Sequence, residues 1–505
     1  MTIASFVHGL KALWVLACHD ALMPKEITHY IGPFPRFLLS IFRFFFVKKS
    51  VKSLRPGQRL AMAYGQLGPA FIKLGQVLST RGDIFGPQFV DDLRNLKDRL
   101  RPFSDQLARQ EIENAFEKPI DSLFSYFGGS VGSASMAQVH EANLLDGQKV
   151  AVKILRPDIE KIVARDIAIL RRLASLIEGV SPEAKRLEPV AFVETVADTL
   201  GLELDLRLEA SAASELLQIM DKDSLMRAPS VVWALNAKRV LVMHWADGYA
   251  LSDPQSLKLE GLRPKELADK LIQAFLTQAL HHGVFHADLH EGNLFIEAPD
   301  KIIAVDFGIV GRLRPIERRY LASMLWGFLR RDYKQVAMSH FEAGYVPAHH
   351  NVDRFAQALR AVGEPVLGRK ASEVSMGRLL TQLFEITAQF DMHLRPELIL
   401  LQKTMVSVEG VARRICPDHD LWEAARPVVK AFIEKEMSPL AEARRVFDSL
   451  YERLLTTTPP PKDFSPALAS LGLEIRSLKN TNLIMGLLWL LSLVMLSAWL
   501  LFFKP

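Results

Sequence analysis

The sequence predicts an α+β chain: a helical leader, a small β-rich lobe, a large helical lobe and an apolar C-terminal anchor. Three observations predict it. Two β-rich runs flank an Asp146-Gly147 turn within residues 137–157, the pattern of a hairpin. Helical patterns dominate on either side, from Arg59 to Leu100 and over most of the chain beyond Gly248. Residues 483–503, LIMGLLWLLSLVMLSAWLLFF, form an uncharged run. As a helix it would be about 31 Å long, enough to cross a hydrocarbon core.

The leader is placed at residues 1–127. Its start lacks a basic region and its apolar run is interrupted at Lys11, which argues against a cleaved signal peptide. Residues 36–55, RFLLSIFRFFFVKKSVKSLR, set six basic side chains around a Phe-rich centre without an acid. They read either as a membrane-surface helix or as a basic helix packed on the body. The β lobe, residues 128–250, opens at Gly128-Gly129. It inserts helical stretches at 158–178 and 189–221 and returns to strand signals at 230–235 and 239–245.

The helical lobe, residues 251–455, is broken by a polar loop at 286–295 and a strand at 301–305. Residues 456–482 begin polar and Pro-rich and read as a linker to the anchor at 483–503. Arg476 and Lys479 before the anchor, Lys504 after it and the near absence of chain beyond predict a tail-anchored protein whose body is cytoplasmic.

Composition agrees with a globular body: of 505 residues, 49% are hydrophobic and 24% charged. The mean hydropathy of +0.11 is high for a soluble protein, and the C-terminal run supplies much of the excess. A formal charge of +5 and a pI near 9.0 suit an anionic membrane surface. Basic clusters interleaved with aromatics are not evident, so no nucleic acid partner is expected. Cys18 and Cys416 form no CxxC pair, which points away from a disulfide framework or cysteine zinc site and toward a reducing compartment.

The chemistry is concentrated in short motifs. Phosphoryl transfer needs phosphates and their metal held in place and an acceptor positioned. Lys153 in VAVKIL is a strand lysine suited to phosphate; taken alone, the favoured reading is a surface lysine on an edge strand. Asp288, Asn293 and Asp306, in HADLHEGN and VDFG, are 5 and 13 residues apart, the kinase spacing of catalytic-loop Asp, catalytic-loop Asn and DFG Asp. Asn293 and Asp306 could ligate Mg²⁺, and Asp288 could orient or deprotonate an attacking hydroxyl or water. His286 and His290 flank the carboxylate as transition-metal ligands might be arranged, yet no third ligand cluster accompanies them, so both read as structural.

Two features depart from protein kinases. The phosphate-covering segment reads GSASMAQVH, residues 132–140; only Gly132 remains, and a Cβ at Ala134 and Ala137 restricts closure over a γ-phosphate. After the DFG the chain runs directly into a helix, without an APE motif or a Ser/Thr/Tyr-rich segment on which a peptide would dock.

With LGPAFIKLGQVLSTR at 67–81, SASMAQVH at 133–140, ELDLRLEA at 203–210, GVFHADLHEGNLF at 283–295, VDFGIVG at 305–311 and LLQKTMVSVEGV at 400–411, the chain resembles the UbiB family. These are the aarF-domain (ADCK-type) atypical kinases associated with ubiquinone biosynthesis. The resemblance implies a bilobal, atypical protein-kinase-like fold with a helical N-terminal extension and a C-terminal transmembrane helix.

It also assigns residues. Nucleotide binding falls to Gly132, Ser133, Ala134, Ser135, Met136, Ala137, Gln138, Val139, His140, Lys153 and Glu209, with Glu209 pairing with Lys153. Lys73 and Gln76 of the KxGQ motif, with Glu203 and Asp205 of the ExD motif, would occlude the place where a peptide enters. Asp205 and Glu209, four apart, are expected on one helix face, with the earlier carboxylates toward Lys73.

The alanine loop is imperfect here, Gly132-Ser133-Ala134-Ser135. The catalytic loop carries Leu289 and Glu291 where proline is common at one or both, His244 replaces a frequent hinge glutamate, and Ala212 replaces a frequent asparagine. None of these changes removes a catalytic group.

The implied cofactors are ATP or ADP and Mg²⁺. The implied partners are anionic membrane lipids, quinone precursors and other ubiquinone-biosynthesis proteins at the bacterial inner membrane. Two rival readings stand beside an ATPase: a kinase acting on a prenyl or quinone intermediate, since HADLHEGN also resembles the loop of small-molecule phosphotransferases, and a non-catalytic ATP-gated scaffold.

Overall fold

The computed structural model describes residues 3–21, 53–79, 86–94, 101–180, 188–365 and 396–438, with isolated positions between them. Most of the basic segment at 36–55, the linker and the anchor at 483–503 lie outside the described residues. Among the described residues no helix is long and apolar enough to cross a membrane. The chain divides into two compact units, Met1–Val429 and Lys430–Pro505, and every candidate site residue lies in the first.

The leader folds as α1 (Ile3–Cys18), α2 (Pro56–Leu67), α3 (Pro69–Leu78), α4 (Pro87–Arg94) and α5 (Asp105–Phe116). Proline opens α2 and α3, where its fixed φ suits the first turn and its missing N–H costs no helical bond. Gly68 separates these two helices at φ 118°, a conformation that a side chain would resist. Gly75 of α3 lies against Tyr64 and Leu96, and a Cβ there would clash with both rather than pack.

Four antiparallel strands follow in sheet order: β1 (Phe124–Ser133), β2 (Ala137–Leu144), β3 (Lys149–Leu155) and β4 (Val240–His244). The hairpin expected at Asp146-Gly147 joins β2 to β3, with Gly147 at φ 86°. Gly128-Gly129, read from the sequence as the boundary of this lobe, instead lie inside β1. The register shifts between Phe127 and Ser130, a kind of irregularity that glycine accommodates. The first of the two later strand signals is not a strand either. Val231 makes a single bridge to Met243, and Trp233–Leu235 form one 3₁₀ turn.

One face of the sheet buries Val150, Val152, Ile154, Val240 and Val242 against Phe124, Phe127 and α5 residues Ala108 and Ile112. Strand alternation turns the other face toward the candidate site.

Between β3 and β4 run α6 (Ile159–Val180), α7 (Pro189–Glu203) and α8 (Leu206–Asp223). The expected single helical stretch at 189–221 is therefore two helices broken at 204–205. The break matters because Asp205 is not on a helix face: it is the N-cap of α8, with φ −124°, and its carboxylate accepts from the Arg207 N–H.

The second lobe holds β5 (Tyr249–Ala250), α9 (Pro264–Thr277), β6 (Val284–His286), β7 (Leu294–Glu297), β8 (Lys301–Ala304), β9 (Val310–Arg312), α10 (Pro315–Leu329), α11 (Tyr333–Glu342), α12 (Val352–Gly363) and α13 (Pro396–Ile415). β6 pairs with β9, and β7 with β5 and β8. Gly311 of β9 lies so close to the Phe285 ring that a Cβ would overlap it, which lets β9 close on the strand leading into the polar loop.

Candidate functional site

Lys153 is directed by β3. Val139 and Leu241 lie directly opposite it on the neighbouring strands and share its face. Its ammonium donates to both carboxylate oxygens of Glu209 on α8, at 2.7 and 2.9 Å, and to Asp306 Oδ1 at 3.0 Å. Lys153 and Glu209 are largely shielded, with side chains 17% and 8% exposed. Burial alone would lower the lysine pKa, but Asp306 and Glu209 together hold it well above the ordinary range. The Lys153 charge pushes the Asp306 carboxyl below the usual carboxylate range. Burial, reinforced by the Asp306 charge, raises Glu209 to about 7 despite its lysine partner.

The polar loop is bound to the same network through the backbone. Val305 N–H donates to Asn293 O at 2.9 Å, and the Asn293 amide donates to Asp288 O at 3.1 Å. His286 is fully buried, with Nδ1 accepting from the Asp288 N–H at 3.2 Å and Nε2 3.1 Å from Val305 O. That pattern fixes a neutral ring protonated on Nε2, and burial lowers its pKa accordingly. His290 accepts the Gly292 N–H through Nδ1 and places Nε2 3.7 Å from Asp288 Oδ2. Asp306 itself sits at φ 63°, in the left-handed region.

The phosphate-covering segment is a turn between β1 and β2, closed by the Ala134 N–H donating to Ala137 O at 2.8 Å. Its side chains divide by strand alternation. Ala137 and Val139 share the Lys153 face. Gln138 and His140, which the resemblance assigns to the nucleotide-binding segment, turn their side chains to the opposite side: Gln138 bonds the backbone of Phe103, and His140 bonds Gly128 O and stacks on Phe127. Gly132 pairs with Val139, while Ser135 and Met136 are buried.

Arg156 was not singled out from the sequence, yet it holds this turn. It donates to Ala134 O at 2.8 and 3.1 Å and to Ser133 Oγ at 2.8 Å. Its position directly after the VAVKIL strand was the available signal.

The leader reaches the break between α7 and α8. Lys73, 9% exposed, forms an ion pair with Glu203. Gln76 is half-buried, and its backbone carbonyl accepts from Ser79. Asp205 does not join Lys73; Arg207 takes its carboxylate at 2.6 and 2.9 Å. The expectation that both ExD carboxylates face Lys73 therefore fails for one, because an N-cap carboxylate is turned toward its own helix.

Helix α13 carries the LLQKTMVSVEGV motif at 400–411, to which the sequence reading gives no site role. Lys403 donates to Asp288 Oδ1 at 3.3 Å, Thr404 Oγ1 lies 2.9 Å from Ala287 O, and Ser407 donates to Leu289 O at 2.7 Å. Arg414 pairs with Glu291. The polar residues Gln402, Lys403, Thr404 and Ser407 inside the otherwise apolar 398–408 stretch are the readable sign.

A four-stranded antiparallel sheet with a paired strand lysine, followed by a helical lobe carrying the Asp288, Asn293 and Asp306 set, defines an atypical kinase-like protein. The ABC1 atypical kinase-like domain matches residues 95–340, and the UbiB helical domain matches residues 359–420. The "Probable protein kinase UbiB" of Marinobacter nauticus is 41% identical over 391 residues, spanning 76% of this chain and 72% of that one. That of Aliivibrio fischeri strain ES114 is 38% identical over 429 residues, spanning 84% and 78%, and that of Pseudomonas fluorescens is 39% identical over 432 residues, spanning 84% and 80%. The chain belongs to the UbiB family. Its fold is similar to that of Rv3197 from Mycobacterium tuberculosis, solved with erythromycin, at a TM-score of 0.51 and 21% identity over 72% of this chain and 93% of that one.

Proposed function

We propose that this chain is an atypical kinase or ATPase supporting ubiquinone (coenzyme Q) biosynthesis at the bacterial inner membrane. ATP use would make lipid-borne quinone precursors accessible to soluble enzymes. The observation that carries the catalytic part is the Lys153 ammonium held by Glu209 and Asp306, beside a loop in which the Val305 N–H donates to Asn293 O and the Asn293 amide to Asp288 O.

In this reading Lys153 binds phosphate oxygens, and Glu209 keeps it extended from β3. Asp306 offers carboxylate oxygens. Asn293 offers an amide oxygen because its nitrogen end is committed to Asp288 O. Such hard oxygen donors suit Mg²⁺, which when bound would neutralise phosphate charge. Asp288 is the proton acceptor for water or an acceptor hydroxyl, and the buried neutral His286 fixes its backbone. The Lys73–Glu203 pair, which fixes the leader, supports a site that excludes peptides. Family membership and the basic, anchor-bearing sequence support anionic lipid, quinone precursors and other ubiquinone-biosynthesis proteins as partners.

The test is phosphate release from ATP by the full chain, with and without anionic liposomes and a phenolic quinone-precursor mimic, beside Asp288→Asn. Lipid-stimulated release that the variant lacks is the expected result. Nucleotide binding without release, with Asp288→Asn still complementing a deletion strain, would replace this reading with a scaffold.

A further inference from the structure

Helix α13 brings a cation to the carboxylate of the polar loop. α13 lies along the polar loop and touches its backbone at Ala287 and Leu289 through Thr404 and Ser407. Thr404 is 1% exposed, so that contact is a buried one that fixes the helix against the loop. Residues 403, 404, 407 and 414 fall on one side of a helix with 3.6 residues per turn. Lys403 is the member of this row that passes the backbone and meets the Asp288 carboxylate.

Its side chain is 44% exposed and that of Asp288 32%, so the pair stands at an open edge where a ligand can reach both. An exposed lysine–carboxylate pair contributes little to stability, so replacing Lys403 should leave the fold intact.

We propose that Lys403 is a catalytic residue: its ammonium donates to an oxygen of the phosphoryl group being transferred, next to the carboxylate that receives the acceptor proton. The proposal rests on the reading of Asp288 given above. In hydrolysis, a water O–H bond breaks and its proton passes to Asp288. The water oxygen forms a bond to the terminal phosphorus, and the bond from that phosphorus to the bridging oxygen breaks with its electron pair leaving on ADP. Phosphate and ADP are the products, and Asp288 returns its proton to solvent. Through this step Lys403 stays bonded to Asp288 or to the phosphoryl oxygens, and charge developing there meets a cation already in place. The compact ammonium on a flexible stem suits a group that must shift between the two. His290, 3.7 Å from the other Asp288 oxygen, leaves the carboxylate flanked on both sides.

The experiment compares wild type, Lys403→Met, Lys403→Arg and Asp288→Asn as full chains. It measures ATP hydrolysis, affinity for ADP alone, affinity for ADP with fluoroaluminate as a mimic of the transferring phosphoryl, and thermal unfolding. Lys403→Met should lose about a hundredfold in kcat and a similar factor in ADP–fluoroaluminate affinity, with ADP affinity and Tm unchanged, and Lys403→Arg should recover most of the loss.

Wild-type affinity for ADP–fluoroaluminate in Lys403→Met would overturn the proposal. So would a parallel loss of ADP affinity and Tm, or an arginine variant as defective as the methionine one. If Asp288→Asn hydrolyses ATP like wild type, the reading of the site falls and Lys403 falls with it. If Asp288→Asn is inactive while Lys403→Met is unimpaired, the role of Lys403 alone is removed.

Discussion

Lys73 and Glu203 lie 130 positions apart in the chain and form an ion pair in which their side chains are only 11% and 21% exposed. The pair joins α3 of the leader to the end of α7, two residues before the N-cap of the helix that carries Glu209. Lys73→Ala strands a half-buried carboxylate and should lower stability by about 1–3 kcal/mol. If the pair also keeps peptide out, Lys73→Ala will gain self-phosphorylation, measured as phosphate incorporated from labelled ATP. A variant that stays unlabelled while still binding nucleotide would remove the occluding role.

Lys153→Ala should abolish detectable nucleotide binding and cost about 3 kcal/mol of stability, because Glu209 is left buried without its cation. Adding Glu209→Gln should restore part of the stability and none of the binding. Denaturant unfolding and titration with a fluorescent nucleotide read the two effects separately.

The turn at Ala134 is held from one side by Arg156. Arg156→Ala removes the donors from Ala134 O and Ser133 Oγ, so nucleotide affinity should fall about tenfold with a smaller loss of stability. Ala134→Gly frees the backbone without touching Arg156 and should raise the affinity for ATP relative to ADP. An unchanged ratio would dissociate Ala134 from nucleotide preference.

Two histidines away from the Lys153 face, His140 buried and His340 half-buried, set an acid limit on stability. Burial lowers the pKa of His140, offset in part by Gly128 O and by Asp105, with Arg109 acting in the same direction as burial. Burial likewise lowers His340, whose Nδ1 lies 2.8 Å from Val336 O. The unfolded chain therefore binds protons near pH 6.5 that the native state refuses, and stability falls as pH drops below that value. Each histidine contributes a slope of up to about 1.4 kcal/mol per pH unit. Melting curves between pH 7.5 and 5.5 should show the decline, and His140→Asn should make it shallower.

Local chemistry made much of this protein legible in sequence. Alternation and an Asp-Gly turn marked the β2–β3 hairpin, because side-chain period and turn conformation are properties of a few adjacent residues. The spacing of Asp288, Asn293 and Asp306 was readable as a candidate set, because one loop and the segment just after β8 carry all three. The anchor expected at 483–503 lies outside the described residues. Tertiary structure decided the rest. Whether the Gln138 and His140 side chains shared the Lys153 face depended on which side of the sheet α5 packed. Whether Asp205 met Lys73 depended on where a helical stretch broke, and an N-cap carboxylate satisfies its own helix first. Arg156 and Lys403 became visible only when a strand end and a distant helix were brought against Ala134 and Asp288. Contacts between residues 22 and 115 positions apart leave no periodic trace in a chain; packing alone selects them.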